Sequence, residues 1–131
     1  MAIKTKKTPA QGCYLIARPY LKDPNFWRSV VFLVEHNDSG SVGFVLNRKI
    51  DYQFNDLLPD FPALVAPIFL GGPVGTDALN YIHRVPGLSE SDVEILPGVF
   101  WGGNFDDLKE AILADRITPD QIRVFVGYSG W

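Results

Sequence analysis

Residues 29–35 read Ser-Val-Val-Phe-Leu-Val-Glu, and no other stretch of the chain restricts the fold as much. The run is rich in β-branched residues and too short for a typical buried helix, so it is predicted as a strand. Its interior offers no polar residue to a solvent-facing side, which places it in the middle of a sheet with both faces covered. Asn37-Asp38-Ser39-Gly40 supplies turn residues straight after it, and Val42–Leu46 reads as the returning strand, so the two make a hairpin. Gly43, between Val42 and Phe44, marks a bulge or a close backbone approach, for which an absent side chain is useful.

Around this hairpin the chain divides into short, turn-bounded segments. Cys13–Arg18 is predicted as a strand ended by Pro19, with a turn at Asp23-Pro24-Asn25. Phe54–Leu58 reads as a short helix stopped by Pro59, and at that length it needs tertiary support. Pro67–Leu70 is a strand from which Gly71-Gly72-Pro73 turns the chain away. Further strands are expected at Asn80–Arg84, Val93–Leu96 and Val99–Trp101. The strongest helix signal begins at Asn104. Its side chain can accept from an early amide, Asp106 and Asp107 suit the positive end of the dipole, and Phe105, Leu108 and Ile112 share a face. Thr118-Pro119-Asp120 opens a turn or one helical turn before a last strand at Ile122–Val126. With no repeat, low-complexity tract or linker, the pattern is an α+β unit in which short helices cover a mixed sheet. The expected division is a flexible basic tail over residues 1–11 and a single domain over residues 12–131.

Composition narrows the function classes. A hydrophobic share of 47% in 131 residues supports a full core, with roughly two thirds of the unfolded surface buried. The longest aliphatic or aromatic run is Val30–Val34, far below the roughly 20 residues of a membrane helix. The basic start, MAIKTKKTPAQG, leads into no long apolar core or cleavage site, so secretion is not expected. A lone Cys13 forms no intrachain disulfide or CxxC pair, and it reads as a packed thiol in a cytoplasmic, reducing setting. Charge is lopsided. Residues 1–50 hold eight Lys or Arg against three Asp or Glu, and residues 51–131 hold four against twelve. Such asymmetry can steer an acidic partner to one side, and it argues against wrapping nucleic acid over the whole surface.

Several of these segments, taken in order, resemble the signatures of the YqgE/AlgH family. Residues 12–18, Asp23-Pro24-Asn25-Phe26-Trp27-Arg28-Ser29-Val30-Val31, Glu35-His36, Gly40, Gly43 and Leu46-Asn47-Arg48 resemble its long N-terminal signature. Leu70-Gly71-Gly72-Pro73, His83 and Gly127-Tyr128-Ser129-Gly130-Trp131 resemble the later ones, so the likeness runs over residues 12–131. The resemblance implies a compact bacterial protein with a mixed, strongly curved sheet and a few packed helices. It also implies that this chain lacks the family's usual C-terminal extension. It transfers no catalytic set, because members are for the most part described as uncharacterised, and some as transcriptional regulators.

The polar residues Asp23, Asn25, Arg28, Ser29, Glu35, His36, Asn47 and Arg48 form the candidate ligand or partner surface. Arg28 can bind a carboxylate or phosphate through its planar fork, or pair with Asp23 to fix the preceding loop. Glu35-His36 sets a carboxylate beside an imidazole, yet adjacent strand positions point to opposite faces, and the hairpin puts Asn47 and Arg48 at its other end. Glu35 can instead cap the turn through the Ser39 or Gly40 amide, with His36 at the surface. His83 reads as structural or exposed, and its separation from His36 is not a metal-ligand spacing. Neither Ser29 nor Ser129 sits in a G-x-S-x-G elbow, so Ser29 reads as a packed strand residue and Ser129 as a turn residue. Gly71-Gly72-Pro73 lacks the rest of a phosphate loop and reads as turn geometry. Trp27, Trp101 and Trp131 are core fillers by default, with one exposed anchor among them as the alternative.

The leading expectation is a noncatalytic cytosolic protein, regulatory through a protein partner and without cofactor or metal. The first alternative is direct DNA binding, resting on Lys4, Lys6, Lys7, Arg18, Lys22, Arg28, Arg48 and Lys49, although no recognition helix is visible. The second is a small-molecule enzyme with a concave site holding Arg28 and Glu35 or His36. Homodimerisation would use a sheet edge or an aromatic patch.

Overall fold

The computed structural model describes residues 3–4, 12, 14–17 and 29–130. Among these residues ten strands join into one mixed sheet: β1 (Ile3–Lys4), β2 (Tyr14–Ala17), β3 (Val30–Asn37), β4 (Gly40–Val45), β5 (Lys49–Gln53), β6 (Pro67–Leu70), β7 (Val74–His83), β8 (Val93–Leu96), β9 (Val99–Gly102) and β10 (Ile122–Gly130). Two helices, α1 (Phe54–Leu57) and α2 (Phe105–Leu113), and a 3-10 turn at Pro119–Gln121 complete the order. Ile3–Lys4, within the stretch read as a tail, pairs with β2. The fold is the expected α+β class with a mixed, strongly curved sheet and few short helices.

β3 and β4 form the expected hairpin, and Val31, Phe32, Leu33 and Val34 are buried in succession because both faces of β3 are covered. The register slips between Leu33 and Glu35, opposite Gly43 and Val42. A Cβ on Gly43 would lie 2.8 Å from a Val31 methyl, so the bulge and the close approach coincide at this position. The turn is held by the Ser39 amide donating to Asn37 Oδ1 at 2.8 Å; Asn37, rather than Glu35, caps it.

β10 organises the rest. It runs antiparallel to β7 on one edge, and on the other edge parallel to β6 and then, from Ser129, antiparallel to β4. The order is therefore β1-β2-β3-β4-β10-β7-β9-β8, with β5 and β6 attached beside β10. Alternation along β10 assigns its side chains to two cores. Ile122, Val124 and Val126 join Phe54, Tyr81, Leu108 and Ala111 beneath the helices. Phe125 joins Phe32, Phe44 and Ile95 on the opposite, concave face, onto which the sheet curls. Phe125 stacks on Phe44 at 4.7 Å between ring centroids.

Of the two glycine-rich segments predicted as turns, Gly71-Gly72-Pro73 does reverse the chain between β6 and β7, and the other crosses it as a strand. β10 continues through Gly127-Tyr128-Ser129-Gly130, so Ser129 lies inside a strand and not in a turn. Its buried hydroxyl donates to the Gly71 carbonyl at 3.0 Å. The Gly71 amide donates to Val126 O at 2.9 Å, and a Cβ on Gly71 would fall 2.4 Å from Gly127 O. The two glycine motifs thus let three strands meet main chain against main chain. β5, and β7 before Asn80, also extend the sheet beyond the sequence expectation.

Candidate functional site

Asp23, Asn25 and Arg28 lie outside the described residues. The other five members of the predicted surface separate into two groups. Glu35 and His36 are exposed at the tip of the β3–β4 hairpin, where His36 Nδ1 hydrogen-bonds the Ser41 hydroxyl. Asn47 and Arg48 follow β4, at the hairpin's other end. There Asn47 Oδ1 accepts the Val30 amide at 3.0 Å, and an Arg48 guanidinium N–H donates to the buried Ser29 hydroxyl at 3.3 Å. Among the described residues, then, the polar set divides between a β-turn and a clamp on the start of β3. Of the basic set, Lys6, Lys7, Arg18 and Lys22 also lie outside the described residues.

His83 is the buried histidine, 1% exposed on the helix-side face of β7. Its ring stacks on Phe100 at 5.4 Å and 19°. Nδ1 accepts the Val85 amide at 3.1 Å, which assigns the proton to Nε2, and Nε2–H donates to Asp92 Oδ2 at 2.8 Å. The same carboxylate oxygen accepts the Ser89 amide at 3.2 Å. Ser89 Oγ donates to Asp107 Oδ2 at 2.6 Å, and the Asp107 amide donates to the α2 cap Asn104 at 3.0 Å. Tyr81 OH donates to Asn104 O at 2.8 Å. Burial pushes the His83 imidazole below its ordinary range while the Asp92 charge and hydrogen bond pull it up. Burial, with Asp92 and Asp107 nearby, pushes the Tyr81 phenol far up. Both ring nitrogens of His83 are committed, so the pair fastens the 84–92 loop and the start of α2 to β7 and offers no nitrogen to a substrate.

The sequence carried one sign of this arrangement. Ser89-Glu90-Ser91-Asp92 fits the S-x-x-D pattern in which the acid reaches back to the amide three residues earlier. Nothing in the sequence tied that acid to His83, because the contact arises from the return of β8 and β9 beside β7.

The concave face is open at one end. A cleft of about 360 Å³ enters it there, walled by Tyr14, Phe32, Ile82, Leu96, Val99 and Phe125. Arg84 and Arg123 stand at its mouth with Asp120. Arg123 faces the cleft because it alternates with Ile122 and Val124, which point to the helix side. Its guanidinium lies 4.5 Å from the Phe69 ring centroid and donates to Leu46 O at 3.2 Å. Arg84 sits across the β7–β10 pair and donates to Asp120 O at 2.8 Å. The exposed Asp120 carboxyl is held below its ordinary value by the Thr118 hydroxyl first, then by a backbone hydrogen bond, with Arg84 adding to it. Among the described residues, no His, Cys, Asp and Glu cluster has a metal-holding arrangement, and no helix is long and apolar enough to cross a membrane.

Residues 14–131 match the AlgH-like family, DUF179. A UPF0301 protein of Cytophaga hutchinsonii is 42% identical over 122 residues, which is 92% of this chain and 67% of the relative. One from Chlorobium limicola is 40% identical over 120 residues, and the chain spans 64% of that relative's length. Among solved structures, the AlgH protein of Pseudomonas aeruginosa superposes with a TM-score of 0.73 at 32% identity, covering 98% of this chain and 71% of its own. Protein DIP2367 of Corynebacterium diphtheriae reaches a TM-score of 0.80 at 20% identity over 98% of this chain and 69% of its own, which shows a shared fold.

Proposed function

The chain belongs to the AlgH-like family, and from that premise we propose that it is a noncatalytic protein that acts by binding, with regulation exerted through a protein partner. One observation carries this reading: among the described residues, the buried imidazole and hydroxyl groups are tied to the chain itself. His83 has both nitrogens engaged, Ser129 gives its hydroxyl to Gly71 O, and Ser29 accepts from Arg48. The exposed pair Glu35 and His36 stands at the hairpin tip, away from Asn47 and Arg48, and converges with them on no common reacting position. A noncatalytic scaffold tolerates such a division, whereas acid–base catalysis requires the groups to meet within hydrogen-bond reach of one substrate atom.

The test pairs two measurements. Partners crosslinked to the protein in its native cells are identified, and the complex is rebuilt from purified components. In parallel, the purified chain is assayed against ester, phosphoester, amide and glycoside substrates. The expected result is a saturable reconstituted complex with no turnover attributable to the chain. Specific turnover lost in Glu35→Gln or His36→Gln would overturn the reading. Duplex DNA is the control ligand, and a steeply salt-dependent affinity would transfer the regulatory role to nucleic acid.

A further inference from the structure

We propose that the open end of the concave face is a binding site for a small monocarboxylate with an apolar aryl or medium-length alkyl body, its carboxylate held between Arg84 and Arg123. The assignment goes beyond the partner-binding reading and stands whether or not a protein partner exists.

The first support is the wall. Phe32, Ile82, Leu96, Val99 and Phe125 line it, so the interior presents hydrocarbon and aromatic surface. At about 360 Å³ the cleft lies within the range of small-molecule sites, about 300–1,000 Å³, and is far too small for a macromolecular surface. The second support is the charge at the mouth. Arg123 pairs with Ile82 across β7–β10, and Arg84 lies two residues further along the same face, so the two residues are diagonal neighbours on the backbone, with the Arg123 head at Leu46 O and the Arg84 head at Asp120 O. Each has a hydrogen bond to a main-chain carbonyl, Leu46 O or Asp120 O. Among the described residues neither has a carboxylate within ion-pair distance. A guanidinium carries five donors, so each retains N–H groups for an anion. Asp120, the acid at the rim, has a carboxylate oxygen engaged by the Thr118 hydroxyl, and the described residues of the mouth set two arginines against this one acid.

This combination selects by chemistry. A neutral apolar molecule gains the wall but leaves the guanidinium groups unmatched. A small inorganic anion gains the mouth but leaves the wall wet. An apolar carboxylate satisfies both, and the charge-assisted bonds are the stronger kind. The two arginines also lie beside exposed solvent, so a headgroup at the mouth is not required to shed all its water.

The experiment uses the isotopically labelled chain and follows amide shifts during titration with octanoate, with octanamide of equal length as the neutral comparator. The expected result is saturable shifts at Ile82, Val99 and Phe125, with octanamide bound about tenfold or more weaker, the equivalent of about 1.4 kcal/mol. Arg123→Gln and Arg84→Gln, both at exposed positions, each weaken octanoate by a similar factor, and the double variant loses saturable binding. Absence of saturable shifts with octanoate through the millimolar range overturns the proposal. So does equal binding of octanoate and octanamide, a comparison made on the unaltered chain that holds even if a variant fails to fold. Proton spectra of the ligand after incubation separate the two readings. Unchanged octanoate leaves the noncatalytic reading intact, and consumed octanoate sinks that reading while leaving the site assignment standing.

Discussion

Removing the Asp92 carboxylate tests whether the buried histidine is a fastening. In Asp92→Ala, His83 Nε2–H loses its 2.8 Å acceptor in a site 1% exposed, and the half-buried Ser89 amide loses its 3.2 Å acceptor. A fully buried orphan donor costs about 2–3 kcal/mol and a half-buried one about 1 kcal/mol. Against this, Asp92 Oδ1 is itself buried without a partner, and its removal returns about 1 kcal/mol. The net expectation is a loss of about 2–3 kcal/mol, read from urea unfolding at neutral pH. The pH dependence supplies a second, independent readout. Burial holds His83 below its ordinary value, so between that folded value and about 6.5 the unfolded chain binds more protons than the folded one. Stability from this group is therefore full above about pH 6.5 and falls as the pH drops below it, by up to about 1.4 kcal/mol per unit. Asp92 opposes the depression, so without it the acid-side loss continues to lower pH, and the gap between the two proteins widens once the pH falls below the folded value of His83 in the unaltered protein. A loss under about 0.5 kcal/mol, or a gap that does not widen in acid, would refute the reasoning. A double-mutant cycle with His83→Phe, which keeps a ring against Phe100, should return a coupling of about 1–2 kcal/mol.

Other substitutions probe the crossing and the helix start. Gly127 adopts φ +69° with its missing Cβ only 2.4 Å from Gly72 O, so Gly127→Ala should cost more than about 3 kcal/mol in thermal unfolding. Gly98 has φ +79° with nothing within 4 Å, so Gly98→Ala should cost only about 1 kcal/mol; equal losses would mean that the crossing is looser than described. Ser129→Ala removes the bond to Gly71 O and should cost about 1 kcal/mol in urea unfolding without affecting octanoate affinity. Asn104→Ala strips the α2 cap from the Asp107 amide and should cost about 1 kcal/mol, with faster amide exchange at Asp107 as the local sign.

How legible an element was in the sequence depended on whether its own residues or distant ones hold it. The β3–β4 hairpin and α2 were readable because Val31–Val34 is uniformly apolar and because Asn104, Leu108, Ala111 and Ile112 combine a cap with a helical stripe. β5 was not, since Lys49, Asp51, Tyr52 and Gln53 are exposed on an edge and only Ile50 turns toward the core. The first half of β7 carries Gly75 and Asp77 and shows no strand pattern of its own; it is a strand because β10, far along the chain, returns beside it. Gly127 to Gly130 looks like a turn, and its strand pairing is set by Gly71 and Gly43. The predicted polar surface was placed by proximity in sequence, and the hairpin separates its described members because residues before and after the turn travel in opposite directions. The arginines at the cleft are hidden for the converse reason: Arg84 and Arg123 are far apart in sequence, and only the β7–β10 register brings them to neighbouring positions.

That register also explains why the open site is on the concave face. The helix side of β10 is closed by α1, α2 and the loops between them, and its polar groups are spent fastening those pieces to the sheet. Among the described residues no helix covers the concave side, and curvature brings β2 and β3 toward β8 and β9. Curvature on this scale needs places where strands cross without side chains between them, and the Gly71-Gly72 and Gly127 contact supplies one. An open end with an apolar floor would be a liability unless something polar guarded it, and Arg84 and Arg123 occupy that position. The glycines that the sequence displays most plainly and the arginines that it hides therefore belong to one design, in which the crossing bends the sheet and the bend creates the cleft.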